Sequence, residues 1–159
     1  METQGRLIVD LDRLSEDGEM FEGETSPDII DLEDGEGLVK PVGGIAYKLF
    51  IEALGSELLA RGSLLQRFIC HCSFCDGTFE LEVKESNFVE SFEINDEFSF
   101  LDLTNEIREV IILGLPAYPR CSESCKGLCA ACGVNLNKSG CECNTDHGDD
   151  RWSALNVLG

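Results

Sequence analysis

The sequence is poor in positive charge. Its 12 lysines and arginines stand against 31 aspartates and glutamates, which gives a net charge of −19. The deficit extends along the chain: residues 1–40 carry 13 acidic and 3 basic residues, and residues 41–159 carry 18 and 9. Proteins that bind RNA or DNA by neutralising phosphates present a basic surface, and neither part offers one. The charge therefore favours a basic protein as partner over naked nucleic acid.

Long apolar stretches and an export signal are also missing. No apolar run approaches the ~18 residues of a membrane span, and Met1-Glu2-Thr3 opens without the basic and apolar regions of a signal peptide. We therefore expect no membrane association and a reducing compartment. There, paired cysteines favour a metal, and a disulfide framework is the alternative.

Residues suited to catalysis are scarce. The two histidines, His71 and His147, have no partner at ligand spacing, whereas a catalytic zinc keeps an open position and commonly uses His or carboxylate ligands. No carboxylate cluster stands out from the acidic background, which disfavours a nuclease. Neither CxxC opens a helix in a βαβ unit, which disfavours a redox protein. We expect no enzyme and no small-molecule substrate, with a CxxC redox protein as the less favoured alternative.

Cysteine, in contrast, is abundant. Eight of the nine cysteines form pairs: Cys72/Cys75, Cys121/Cys125, Cys129/Cys132 and Cys141/Cys143. Structural zinc sites use four ligands, so these pairs predict two zinc ions per chain. Gly133 directly follows one CxxC and can adopt the positive φ that closes a zinc knuckle. Cys70 is left over, as a spare thiol or a substitute ligand.

The spacing of the pairs predicts how they combine. The last two pairs are separated by only eight residues, 133–140, and can form one site locally. The first two pairs then form the second site, which closes a loop of 45 residues between Cys75 and Cys121. This site would join the body of the protein to its C-terminal part.

Alternating apolar and polar residues predict an antiparallel sheet, because such a pattern buries one face of each strand. The predicted strands are 45–53, 57–72, 78–84, 88–94 and 98–101. Gly62 is a candidate β-bulge. The first CxxC, Cys72 and Cys75, falls at the tip of the hairpin between the second and third strands. Its sulfurs can then project beyond the sheet and meet distant ligands.

One main helix follows the sheet. Asp102 and Thr104 are candidate N-caps, and Gly114 with Pro116 ends the helix. Its apolar face consists of Leu103, Ile107, Val110 and Ile111. A short C-terminal helix, capped by Asp149 or Asp150, is expected to carry Trp152, Leu155 and Leu158.

These elements predict an α+β fold: an antiparallel β-sheet body with one main helix and a cysteine-rich, zinc-binding C-terminal lobe. Residues 1–41 form an acidic, partly mobile segment, in which 7–11 is a possible edge strand and 10–36 reads as a loop. Residues 42–116 form the body, and residues 117–159 the zinc lobe. The lobe is too short and too polar to build a core without a metal or disulfides.

The order of these motifs resembles the YceD family, named for accumulation of the large ribosomal RNA subunit. A CxxC after a strand and a helix ending at Leu115-Pro116 are followed by CKGLCxxCGxNLN over 125–137. The CxC at 141–143 and Arg151-Trp152 close the pattern. The resemblance covers residues 42–159. Two positions depart from the family pattern: Phe74 replaces an arginine, and Asp150 replaces a proline.

The resemblance implies a bacterial or organellar factor that supports accumulation or processing of large-subunit ribosomal RNA, and we expect it in the bacterial cytoplasm. Its expected partner is the pre-ribosomal large subunit or a basic ribosomal protein, and direct RNA binding is left open. The loss of the arginine at position 74 weakens the case for RNA or ligand binding there. The alternative within this reading is an acidic adaptor that holds a basic ribosomal protein.

Overall fold

A computed structural model of the protein describes residues 6–30, 32, 37–93 and 99–143. Antiparallel strands dominate these residues, and they include one α-helix, which confirms the predicted α+β fold class. The strands are β1 (Ile8–Asp10), β2 (Glu19–Glu24), β3 (Val39–Leu54), β4 (Glu57–His71), β5 (Thr78–Glu93) and β6 (Phe100–Asp102), and the helix is α1 (Thr104–Leu113). Short 3-10 turns occur at Leu11–Arg13 and Pro27–Ile29.

The strands form two sheets. Four of them pair in the order β2-β3-β4-β5, and β1 pairs with β6 in a two-stranded ribbon. Every pairing is antiparallel. The β4–β5 hairpin closes with His71 opposite Thr78, so that its turn carries Cys72 and Cys75 beyond the end of the sheet. The sequence predicted this position for the first CxxC.

A β-bulge lies next to Gly62, but its extra residue belongs to β5 and not, as predicted, to the strand of Gly62: Ser86 and Asn87 of β5 lie against Ser63 of β4. The β4–β5 register shifts between Gly62 and Leu64, and a Cβ on Gly62 would lie 2.0 Å from the backbone oxygen of Lys48. The two strands predicted at 78–84 and 88–94 are in fact one strand, β5, as far as Glu93; residue 94 lies outside the described part. Before the bulge the inward-facing residues of β5 stand at odd-numbered positions, such as Val83. After it they stand at even-numbered positions, such as Phe88. Because of this change of phase, the alternation in the sequence predicts two strands where the structure has one.

The N-terminal part contains more strand than the sequence predicted. β1 confirms an edge strand within residues 7–11. The expectation of a loop over residues 10–36 was wrong at Glu19–Glu24, which form β2 and pair with β3. β2 lies at the edge of the sheet. Phe21 is its one partly buried residue, and the other five are exposed. An exposed edge strand needs no apolar alternation, so its sequence carries no strand signal.

The core lies between one face of the large sheet and α1, which packs against β4 and β5. Leu103, Ile107 and Ile111 are fully buried on the predicted face of the helix. Neither predicted N-cap is correct, because Leu103 occupies that position without a side-chain hydrogen bond. Asp102 instead accepts a hydrogen bond from the backbone N–H of Thr104, and the Thr104 hydroxyl accepts one from Leu7. The helix ends at Gly114 as predicted.

The segment after α1 returns to the hairpin tip. There the backbone N–H of Ser73 donates to the carbonyl of Pro119 over 2.8 Å. This contact brings the next cysteines towards the first CxxC. The predicted C-terminal helix and His147 lie outside the described residues. In the described part of the chain, no helix combines the length and apolar character that crossing a membrane requires.

Candidate metal centres

Four cysteines from two distant parts of the chain meet at the hairpin tip. We call Cys72, Cys75, Cys121 and Cys125 the hairpin cluster; their sulfurs lie within 4.8 Å of one another. Cys72 Sγ lies 3.8 Å from Cys125 Sγ, and Cys75 Sγ lies 3.8 Å from Cys121 Sγ. Four sulfurs placed tetrahedrally around a zinc ion are about 3.8 Å apart, given a zinc–sulfur distance near 2.3 Å. The hairpin cluster therefore has the dimensions of a tetrahedral metal site.

A second group forms within the C-terminal lobe. Cys129, Cys132, Cys141 and Cys143, the lobe cluster, also have their sulfurs within 4.8 Å of one another. The groups combine the cysteine pairs in the way that the spacing predicted. They differ in exposure: only Cys121 of the hairpin cluster is exposed, whereas Cys132 and Cys143 of the lobe cluster both are. Both groups could hold a metal ion.

The two CxxC turns share one backbone arrangement. The N–H of Asp76 donates to the carbonyl of Cys72, and the N–H of Gly133 donates to that of Cys129, each over 2.9 Å. Gly133 has the predicted positive φ, 72°. The equivalent residue of the first turn is Asp76, with φ 55°. Aspartate tolerates this conformation better than most residues, so the first turn forms without glycine at this position.

Asp76 also contacts the side chain of His71. Its Oδ1 lies 3.3 Å from His71 Nδ1, and the His71 side chain is partly exposed. His71 lies outside both clusters, as expected for a surface histidine.

Backbone amides stabilise thiolates in both clusters. Burial raises the pKa of Cys72, but N–H groups of Cys121 and Phe74 outweigh it and lower the pKa to about 6. The N–H groups of Cys132 and Ala131 lower the pKa of Cys129 to about 6. Thiolates are the form that binds metal, so both clusters contain sulfurs prepared for it.

The remaining protons are shared between neighbouring sulfurs. A hydrogen bond with Cys125 raises the pKa of Cys121 to about 12. A hydrogen bond with Cys132 likewise raises the pKa of Cys143 to about 12. Cysteines bind a metal as thiolates, so those with a raised pKa release a proton when the metal binds.

Disulfides do not hold the clusters together. All nine cysteines lie in the described residues, and all are free. The 3.8 Å separations are far longer than the roughly 2.05 Å of a disulfide. Cys70 belongs to neither cluster: it is fully buried in the core, where burial raises the pKa of its thiol. The expectation that it could replace a ligand has no support in this geometry.

The backbone around Phe74 joins the hairpin to the lobe. The N–H of Leu128 donates to the Phe74 carbonyl over 2.9 Å. Gly127, whose φ is 74°, lies next to the same carbonyl. The Arg120 guanidinium lies 4.5 Å from the centre of the Phe74 ring, and its Nη2 donates to the Cys125 carbonyl over 2.9 Å. The phenylalanine that departs from the family pattern is thus a packing partner of an arginine.

Two asparagines have roles that the sequence did not reveal. Asn135 and Asn137 form a local turn, in which the Asn137 N–H donates to Asn135 Oδ1 over 2.9 Å. Both side chains also reach the hairpin cluster. Asn135 Nδ2 donates to the Cys75 carbonyl over 3.0 Å, and Asn137 Nδ2 donates to Cys125 Sγ over 3.4 Å. No spacing rule connects residues 60 positions apart, so only the fold shows this contact.

The geometry defines a β-sheet protein whose C-terminal part is organised around two four-cysteine groups. The family described as "Large ribosomal RNA subunit accumulation protein YceD" matches residues 70–159, which include all nine cysteines, and the chain belongs to this family. The match begins at Cys70 within β4, so it covers less of the body than the resemblance expected over residues 42–159.

One curated relative is the "Large ribosomal RNA subunit accumulation protein YCED homolog 1, chloroplastic" of Arabidopsis thaliana. The two are 34% identical over 62 residues, which are 39% of this chain and 19% of the relative. The matched region thus spans about a fifth of the length of that relative. No solved structure matches the chain.

Proposed function

We propose that the protein is a non-enzymatic ribosome-biogenesis factor that supports accumulation or processing of large-subunit ribosomal RNA. The observation that carries this proposal is the pair of four-cysteine clusters, all within the segment that matches the YceD family. The family description and the name of the Arabidopsis relative both refer to large ribosomal RNA subunit accumulation. The bacterial cytoplasm stays a prediction from the sequence, since the name of that relative places it in the chloroplast.

We assign one structural zinc ion to each cluster, with all eight clustered cysteines as ligands. Four thiolates in tetrahedral arrangement are the donor set of structural zinc sites. Each cluster supplies four sulfurs, so a bound zinc would have no open position for substrate. Zinc would act as a cross-link that fastens the segment after α1 and the C-terminal lobe to the β4–β5 hairpin. This role also argues against a CxxC redox protein, whose cysteines exchange disulfides.

Charge favours a protein partner. Three cations on the solvent-facing side of the large sheet are each paired with a carboxylate: Lys48 with Glu22, Arg61 with Glu52 and Arg67 with Glu82, at 3.3, 3.1 and 3.0 Å. These cations are therefore partly neutralised within the protein, in a chain of net charge −19. We infer an acidic adaptor that binds a basic ribosomal protein or a pre-ribosomal particle more tightly than naked RNA.

Sedimentation of ribosomal particles tests the proposal. A strain that lacks the protein should show a deficit of large subunits relative to small ones, which the wild-type gene restores. A gene encoding Cys121→Ser with Cys125→Ser should not restore it, whereas Ser122→Ala, an exposed change between the same cysteines, should. A normal ratio of subunits in the deletion strain would refute a role in large-subunit accumulation.

Binding measurements test the adaptor. Gel-shift titrations should give weak binding to protein-free ribosomal RNA at physiological salt, and tighter binding to a basic large-subunit protein. Tight, strongly salt-dependent binding to protein-free RNA would contradict the adaptor, because it requires phosphate contacts from a basic surface.

A further inference from the structure

The loop that closes the lobe cluster contributes hydrogen bonds to the other cluster. Residues 133–140 connect Cys132 to Cys141, both of the lobe cluster. From this loop, Asn137 Oδ1 accepts from the backbone N–H of Lys126 over 2.9 Å, and Asn137 Nδ2 donates to Cys125 Sγ over 3.4 Å. One side chain therefore fixes both the sulfur of Cys125 and the backbone directly after it.

Asn135 supplies the second link. Its Nδ2 donates to the carbonyl of Cys75, in the turn between β4 and β5. Its Oδ1 accepts from the backbone N–H and from Nδ2 of Asn137, over 2.9 and 3.0 Å. The two side chains are thus held as one unit. The N–H of Leu136 between them donates to the Gly127 carbonyl over 3.0 Å, which fastens the loop to the same segment.

We propose that Asn135 and Asn137 couple the two metal sites. A metal in the lobe cluster draws Cys132 and Cys141 to one point and closes the loop between them. The closed loop places the two asparagines where they position Cys75 and Cys125 for a metal in the hairpin cluster. Asn137 is a positioning residue and not a ligand. This inference rests on the proposed metal binding.

The size of the coupling follows from the contacts. Partners that hydrogen-bond to metal ligands typically change metal affinity by about 10–100-fold. We expect a coupling of about tenfold, because Asn137 contacts one of the four sulfurs of the hairpin cluster directly. Coupling between binding sites is reciprocal, so a metal in the hairpin cluster should strengthen binding in the lobe cluster by the same factor.

A thermodynamic cycle on the full chain tests the coupling. The reduced, metal-free protein is titrated with Co²⁺ against a competing chelator, and the thiolate–cobalt absorption reports binding. Cys132→Ser with Cys143→Ser removes the lobe site, so that only the hairpin site is measured. Its Co²⁺ affinity should be about tenfold lower than in the chain with both sites. In an Asn137→Ala background, removal of the lobe site should cause little further loss.

Controls separate coupling from general unfolding. Asn137→Ala alone keeps all eight cysteines, and one of its two Co²⁺ ions should bind about tenfold more weakly. Ser139→Ala, in the same loop, should bind both ions like the wild type. The reciprocal variant, Cys72→Ser with Cys121→Ser, should weaken the lobe site by the same factor.

The outcomes distinguish the two proposals. The coupling would be overturned, with the metal sites left in place, if the two Co²⁺ ions bind with independent affinities. It would also be overturned if the losses of Co²⁺ affinity caused by Asn137→Ala and by the lobe variant simply add. Absence of Co²⁺ binding at either cluster would overturn both proposals.

Discussion

Gly127 offers a sharp test of the junction between the hairpin and the lobe. Its φ of 74° lies in the left-handed region, and a Cβ there would lie 3.1 Å from the Phe74 carbonyl oxygen. That oxygen cannot move freely, because it accepts the hydrogen bond from Leu128. Gly133 has nearly the same φ, 72°, and nothing within 4 Å of its Cβ position. Alanine at the two positions therefore imposes a similar backbone strain, and only the change at Gly127 adds crowding.

The expected magnitudes follow from this difference. Left-handed backbone costs a non-glycine residue roughly 1–2 kcal/mol, and alanine recovers about 0.4–1 kcal/mol by restricting the unfolded chain. Gly133→Ala should therefore lower the free energy of unfolding by about 1.6 kcal/mol or less. Crowding in a packed site costs typically about 1–3 kcal/mol. Gly127→Ala should thus be the more destabilising change by at least about 1 kcal/mol.

Thermal unfolding of the metal-loaded proteins, followed by circular dichroism, measures the difference. For a chain of this size, 1 kcal/mol corresponds to roughly 2–4 °C in the midpoint. Gly127→Ala should therefore unfold at least about 2 °C below Gly133→Ala. Equal midpoints, or a lower midpoint for Gly133→Ala, would show that the Phe74 carbonyl does not confine the backbone at Gly127.

Three further changes test other parts of the fold. Gly62→Ala should destabilise the protein by about 1–3 kcal/mol in denaturant unfolding, because its Cβ would lie 2.0 Å from the Lys48 oxygen. Gly140→Ala, with nothing within 4 Å of its Cβ position, should not, and equal stabilities of the two variants would refute the close contact between Gly62 and β3. Cys70→Ala should leave the metal content unchanged by elemental analysis and cost about 1 kcal/mol; loss of metal would make Cys70 a ligand. Ile107→Ala, fully buried, should cost about 2–5 kcal/mol in denaturant unfolding, whereas the exposed Leu113→Ala should cost far less, and similar losses would contradict the assigned helix face.

Much of the site could be predicted because its determinants are local in sequence. A CxxC turn needs only four residues and a following residue that accepts positive φ. The conformation of the turn at Cys129–Cys132 could therefore be predicted from Gly133. The grouping of the last two cysteine pairs followed from the eight residues between them. The hairpin position of the first CxxC followed from the alternation on both sides of it, which reflects burial of one face of β4 and β5.

The parts that could not be predicted depend on contacts between distant residues. β2 is a strand because β3 offers it a partner, and its own exposed side chains show no period. Continuity of β5 depends on its pairing with β4 on both sides of the bulge, where Ser86 and Asn87 of β5 lie against the single residue Ser63 of β4. The roles of Asn135 and Asn137 depend on the position of the hairpin tip, which no local pattern of the loop encodes.

Zinc stoichiometry tests the central claim most directly. Protein purified without chelators under reducing conditions is analysed for zinc, together with Cys72→Ser/Cys75→Ser and Cys129→Ser/Cys132→Ser. We expect two zinc ions per chain in the wild type and one in each double variant. The remaining ion should persist despite a tenfold loss of affinity, because structural zinc sites bind with about 10–16 kcal/mol. A wild-type protein without zinc, or one whose cysteines are found in disulfides by mass spectrometry, would contradict the account.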